Sequence, residues 1–515
     1  MKNYKDKLKL IKQIDWWTTL VPLFFVSGLF IFCVLNPMQS QVVLDAIRGY
    51  INDECGLYYA LLGVALFLCS LYMAFSKYGK VKLGAGEKPE YSSFKWGTMI
   101  FTSTMAADIL FYSLCEWSLY ANESYVEQIG GVQKWASTYP LFHWGPIAWS
   151  FYIILAVAFG FMLHVRKRKS QKFSEACRRI LGDRVDGIFG KVIDLIAIFA
   201  LLAGTATTFS LATPLLSASV SRVFGVSQGT TLTIILLLFI AVVYTLTVWF
   251  GMKGISKLAN ICSYLFFALL IYFMLLGGEA TYILETGFSA IGNLIQNFVG
   301  MSTWLDPLRE TSFPQNWTIY YWSYWMVWCV ATPFFIGSIS KGRTVRNIVL
   351  GGYGWGLAGT FTSFIVLGNY GMAQQVKHGV DISGYIAEGG EISEAIMRIF
   401  DTMPLSNIGL ILLVITMIAF YSTTFDALTL VVSSYSYKSL QVGMEPARGI
   451  RTFWAIMFIV LPIALIFAKN SMSQLQSVSL IAALPIGFII VLIVISFFKD
   501  AREYLSSMKE DERSE

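Results

Sequence analysis

Charge is the scarcest ingredient of this chain. Only 14% of its 515 residues are Asp, Glu, Lys or Arg, where soluble globular proteins carry roughly 25%. That shortage excludes a surface built to face water on all sides. Histidine is nearly missing. His143, His164 and His378 stand far apart in sequence, and none sits beside a plausible nucleophile. There is no P-loop, no Gly-rich dinucleotide fingerprint and no HExxH helix, so an enzyme reading has little support. The cysteines (Cys33, Cys55, Cys69, Cys115, Cys177, Cys262 and Cys329) show no metal-type spacing and fall mostly within apolar runs. A disulfide framework is therefore not expected. The alternating polarity of a membrane β-barrel is missing, and no loop is long enough to hold a soluble nucleic-acid module. No cleavable signal peptide is expected, because the first apolar run is too long for a signal core and lacks a small-residue cleavage site.

Apolar residues fill the place of charge. Of the chain, 56% is hydrophobic and 16% aromatic, and the mean hydropathy is +0.61. Apolar runs recur at the ~20 residues needed to cross a bilayer: 17–35, 57–75, 95–121, 141–165, 188–213, 230–250, 258–278, 317–340, 348–373, 405–434, 450–468 and 475–498. The expected fold class is an all-α integral membrane protein with about 12 transmembrane helices. Basic residues gather on alternate loops: Lys2, Lys5, Lys7, Lys9 and Lys12; Lys77, Lys80, Lys82 and Lys88; Arg166 to Arg184; Lys341, Arg343 and Arg346. The other loops carry acid, including Glu123, Glu127, Glu279, Glu285, Asp381, Glu388, Glu391 and Glu394. The positive-inside rule then places both termini in the cytoplasm. The net charge of +6 follows from this topology and does not point to nucleic acid.

The spans sort into blocks. A cytoplasmic N-terminus (1–16) leads to two additional helices and a loop (17–94). Two five-helix blocks follow, 95–278 and 317–498, joined by a linker (279–316) and ended by a cytoplasmic tail (499–515). Within the linker Phe288, Ile291, Leu294, Ile295 and Phe298 fall on one helical face, as in a helix lying in the interface. Ile392–Phe400 reads the same way. An odd number of spans per block inserts the second copy upside down, the pattern of inverted-repeat transporters with a mid-membrane site.

Three stretches carry candidate chemistry. Trp317–Trp328 packs rings through the middle of a span. Tyr321, Trp325 and Trp328 fall at i, i+4 and i+7, and Tyr324 pairs with Trp328. Ring faces can hold a quaternary ammonium group at ~2 kcal/mol or more when desolvated, although helix packing and an interfacial belt account for the pattern equally well. Thr102-Ser103-Thr104-Met105-Ala106-Ala107-Asp108 places a carboxylate deep in the third span, a functional candidate. Glu116 lies two turns on and reads as nearer an interface. Phe420-Tyr421-Ser422-Thr423-Thr424-Phe425-Asp426 offers adjacent hydroxyl oxygens for a hard cation. The same run also fits interhelical hydrogen bonding. In the fourth span, Gly145-Pro146 breaks or kinks the helix beside His143, Trp144, Trp149 and Tyr152.

Together these residues resemble the betaine/choline/carnitine transporter family over nearly the whole chain. The most specific segment runs from Trp317 through Tyr321-Trp322-Ser323-Tyr324-Trp325 to Ile339-Ser340-Lys341-Gly342-Arg343-Thr344, where Ser338 and Lys341 depart from the family's R-I-S-R-G-R-T. Leu141-Phe142-His143-Trp144-Gly145, Leu211-Ala212-Thr213-Pro214 and Lys253-Gly254 match as well.

The resemblance implies a leucine-transporter-type fold with two inverted five-helix repeats, a homotrimer in the plasma membrane and no cofactor. It implies an aromatic box of Tyr324, Trp325 and Trp328, with Trp144, Trp149 and Tyr152 lining the path. It also implies Na+ as coupling ion at Phe420, Thr423, Thr424 and third-span backbone near Met105.

Thr104-Met105-Ala106 stands where sodium-coupled betaine members have Gly-Met-Gly. Asp108 stands where betaine-specific members have Gly and choline-accepting members tend to have Asp. Cys262 and Thr332 stand where sodium-independent exchangers have Arg and Met. His143-Trp144-Gly145-Pro146 and Phe313-Pro314-Gln315 instead resemble the exchangers. The reading is import of a choline, glycine betaine or carnitine type compound by Na+ symport. The alternative is Na+-independent precursor/product antiport such as carnitine/butyrobetaine exchange.

Overall fold

The computed structural model describes residues 13–84, 86, 88–103, 106–168, 170–250, 252–438, 440, 445–467 and 472–514. Among these residues there is helix and no strand, only two isolated bridges. Eight helices are long and apolar enough to cross a membrane, and up to ten if each bent pair counts as one span. The protein is thus a multi-pass membrane protein. All of the runs expected to span are helical at least in part. Phe24, Leu61, Leu238, Leu275 and Phe488 are exposed on the outside, where acyl chains would solvate them.

Several elements differ from the sequence expectation. The third span is two helices, Ser93–Thr102 and Ala107–Tyr120, bent by 66°. The break falls at the small and hydroxylated residues; Thr104 and Met105 lie outside the described residues. The aromatic span opens with a π-turn at Pro314–Thr318, continues as Ile319–Trp328, stops, and resumes as Thr332–Ile339. Pro333 explains the stop: it has no N–H to donate, and its ring collides with the carbonyl four residues back. The fifth span does not end near Thr213 but runs from Ile188 to Phe224 through Pro214. Thr213 donates to the Phe209 carbonyl at 2.5 Å and Ser210 to the Pro462 carbonyl at 3.4 Å, but the carbonyl that Pro214 deprives of its helical donor is that of Ser210. The last helix runs from Met472 to Ser514 and takes in most of the expected tail.

A helix the sequence reading missed, Pro37–Glu54, follows the first span. Pro37 in its first turn was the available signal. The linker helix Ala280–Thr303 turns 113° from the span before it. Leu294 is buried and Phe298 packs on Phe67 and Phe142, while Phe288 and Ile295 stay exposed.

The basic loops meet at one end of the protein. Gly342 donates to the Leu83 carbonyl at 2.6 Å and Val345 to the Val81 carbonyl at 2.9 Å. His164 Nε2 lies 3.1 Å from the Gly337 and Ser338 carbonyls. Arg166 pairs with Asp500 at 3.1 Å, and Arg179 with Glu503. Asp15 and Gln13 bond to Ser436 and Lys438 through backbone. Arg178 joins Glu175 and Asp186, and its hydrogen bond holds the Asp186 carboxyl below the usual carboxylate range. The fourth span and Thr332–Ile339 touch backbone to backbone through Gly160 and Gly337. A Cβ on Gly337 would sit 2.8 Å from the Ala156 carbonyl oxygen.

Candidate functional site

The fourth span supplies the first wall of the site. It breaks at Gly145, between Thr138–His143 and Pro146–His164. A Cβ on Gly145 would lie 2.2 Å from the Leu141 carbonyl oxygen, so the tight turn needs glycine. Trp144 sits at this turn, its carbonyl accepting from Thr360 Oγ1 at 3.0 Å. Trp149 and Tyr152 follow on the next helix. Trp149 is backed by Gly356, where a Cβ would come within 2.7 Å of the indole.

The aromatic helix supplies the second wall. The Trp325 ring lies 4.7 Å from Tyr152, 5.5 Å from Trp149 and 5.7 Å from Trp144, centroid to centroid. These four rings form one buried cluster, in the range where rings interact. Tyr324 joins it at 6.4 Å from Trp144. Trp328 does not enter the cluster. Among the described residues its ring neighbour is Tyr324, at 6.4 Å, and it turns toward Gly204 of the long fifth-span helix. Tyr321 reaches the cluster only at Trp144, at 5.7 Å, and packs otherwise on Tyr112 and His143. The i, i+4, i+7 face therefore divides around Trp144.

Charge reaches this cluster from the third span. Asp108 stands in the first turn of Ala107–Tyr120 and is buried. Its Oδ1 accepts the Ile109 N–H at 3.0 Å, and its Oδ2 accepts the Tyr324 hydroxyl at 2.5 Å. Tyr324 also bonds to Thr208 Oγ1. A helix N-terminus favours such a carboxylate. One turn further, Tyr112 meets Tyr320 at 2.7 Å. The next turn brings Glu116, which is fully buried. It accepts from Trp144 Nε1 at 2.8 Å and meets the Tyr120 hydroxyl at 2.5 Å. Tyr120 lies 2.6 Å from His143 Nδ1, and His143 Nε2 lies 3.0 Å from Thr318 Oγ1. The i, i+4 spacing of Asp108, Tyr112, Glu116 and Tyr120 was the signal that could have found this ladder.

The hydroxyl run lies on the helix Ser406–Tyr435. Thr423 and Thr424 are half-buried and Phe420 is buried. Thr423 donates to the Phe420 carbonyl at 3.0 Å and lies 3.7 Å from Cys262 Sγ, which joins the seventh and tenth spans as aligned. Phe420 packs on Phe266, and Phe266 on Phe101, two residues before the third-span break. A hydroxyl that donates to its own helix keeps lone pairs for a cation. Among the described residues no cluster of His, Cys, Asp or Glu could hold a metal ion. Neutral hydroxyl oxygens of this kind suit a hard cation, and ring faces suit an organic one.

A family model described as BCCT, betaine/carnitine/choline family transporter, matches residues 17–506. The chain is 30% identical to the glycine betaine transporter OpuD of Bacillus subtilis, over 98% of this chain and 97% of that one. It is 27% identical to a carnitine transporter of Acinetobacter baumannii, over 82% and 76%. A solved Na+-coupled sialic acid symporter matches at 13% identity and a TM-score of 0.43, covering 81% of this chain and 80% of its own. That likeness is too distant to carry weight.

Proposed function

The chain belongs to the betaine/carnitine/choline family of transporters, and from that premise we propose that it imports a quaternary ammonium compound by Na+ symport. It is a transporter and not an enzyme. Trp144, Trp149, Tyr152, Trp325 and Tyr324 hold the methylated ammonium by cation–π contact, with Trp328 at the edge. Asp108 tunes the choice among choline, glycine betaine and carnitine. Its carboxylate favours net positive charge and opposes a substrate carboxylate. The bond from Tyr324 to Asp108 at 2.5 Å carries this reading, because it sets the charge against the wall of rings.

Phe420, Thr423 and Thr424 take Na+; the backbone near Met105, expected to share the shell, lies outside the described residues. Two blocks that each begin with a broken span, Ser93–Tyr120 and Pro314–Ile339, support inverted repeats that alternate access. The fold would then be of the leucine-transporter type, with about twelve spans. The basic end faces the cytoplasm, and the family resemblance supports a homotrimer.

The test is radiolabelled uptake into proteoliposomes of choline, glycine betaine and carnitine, with and without an inward Na+ gradient. Gradient-driven accumulation into empty vesicles is expected. Uptake only into vesicles preloaded with a related betaine, indifferent to Na+, would establish the exchanger and remove the ion role of Thr423 and Thr424.

A further inference from the structure

Trp144 differs from the other tryptophans of the cage in one respect. The indole N–H groups of Trp149, Trp325 and Trp328 have no hydrogen-bond partner among the described residues. That of Trp144 donates to Glu116 Oε2 at 2.8 Å. Glu116 is itself wired outward: Tyr120 meets its Oε1 and His143 Nδ1, and His143 Nε2 meets Thr318 Oγ1. Every side chain in this chain of contacts is buried. Two arrangements of protons satisfy all of it. In one, Thr318 donates to Nε2, Nδ1–H donates to the Tyr120 oxygen, and Tyr120 donates to the carboxylate. In the other the run is reversed: Glu116 Oε1–H donates to Tyr120, Tyr120 to Nδ1, and Nε2–H to Thr318. In both, Oε2 accepts from Trp144.

We propose that Glu116 is a positioning residue that binds substrate through Trp144. It fixes the indole at the Gly145 turn, where no regular helix holds it. It also polarises the ring. An N–H that donates to a carboxyl oxygen pushes electron density back into the indole, and hydrogen-bonded groups polarise one another in a low-dielectric interior. A richer ring face holds an ammonium group more tightly. Glu116 thus raises affinity for the methylated ammonium, whatever else the substrate carries. Asp108 has the other task, choosing between a cation and a zwitterion. This inference rests on the aromatic-cage reading.

The test measures half-saturation and maximal rate for radiolabelled choline and glycine betaine in proteoliposomes. The variants are Glu116→Gln, Trp144→Phe, the double variant and Trp325→Ala. Trp144→Phe keeps a ring and loses the N–H. Glu116→Gln is expected to raise half-saturation about tenfold, by the same factor for both substrates, with maximal rate within about twofold. The double variant is expected to be no worse than the worse single, as for two residues acting as one unit.

Multiplying effects, a factor that differs between the substrates, or an unchanged Glu116→Gln would overturn the proposal. If Trp325→Ala leaves half-saturation unchanged, the cage reading itself fails. If Trp325→Ala weakens uptake and Glu116→Gln does not, only the role of Glu116 falls. Should Glu116→Gln not fold, Tyr120→Phe removes one hydrogen-bond partner of the carboxyl group and spares Trp144. It is then expected to raise half-saturation about threefold, and no rise would overturn the proposal.

Discussion

Ser93–Tyr120 and Pro314–Ile339 are both broken helices, yet they break for different reasons and carry different chemistry. The first parts at small and hydroxylated residues and then bears acid and phenol along one side. The second stops at Trp328 ahead of Pro333 and bears rings, with its indoles at 325 and 328 unbonded at nitrogen. They meet where Tyr324 donates to Asp108. On the proposed reading one helix would supply faces for an ammonium group and the other a carboxyl one side chain behind them. A cation held by faces needs no ion pair, which would leave the carboxyl groups to tune selectivity and ring electronics.

The largest expected effect falls on the ring helix. Trp325→Ala should raise half-saturation for uptake roughly thirtyfold, the worth of ~2 kcal/mol. Trp328→Ala should cost only a few-fold, because among the described residues Trp328 touches no ring but Tyr324. Equal losses at the two positions would erase that distinction. Next comes the acid helix. Asp108→Asn should lower the preference for choline over glycine betaine about tenfold in competition uptake; an unchanged ratio would end its selectivity role.

Thr423→Ala should raise the Na+ concentration for half-maximal uptake about fivefold, read by titrating external Na+, and should leave the choline-to-betaine ratio alone. The smallest effect is Gly356→Ala. Its methyl would press on Trp149, and overpacking of this kind costs ~1–3 kcal/mol. A lowered thermal midpoint of the purified protein and a two- to threefold rise in half-saturation would sharpen the case that the fourth span holds one wall of the cage.

The aromatic cluster was legible because rings at helical spacing inside a span are unusual. Gly145-Pro146 announced a break, and the structure breaks there. The spacing did not show that Trp144 would come between Tyr321 and Trp325 and divide their face, since that depends on a neighbouring span. The partners of Glu116 were hidden for a related reason. Spacing put it two turns from Asp108 on one helix, but the bond from Trp144 comes from a neighbouring span. Pro333 was visible, and its consequence at 329–331 was overlooked because the apolar run reads through it. Pro214 is the converse, a proline inside a helix that continues past it to Phe224.

The glycine contact between the fourth span and Thr332–Ile339 fixes where the cage can part. With Gly160 and Gly337 in backbone contact, those two segments form one stiff body. Trp149 and Tyr152 ride on that body, whereas Trp325 rides on the segment before 329–331. On the proposed reading that short joint separates the two walls of the cage, and flexing there would loosen the grip on the substrate and open a route for its release in one movement.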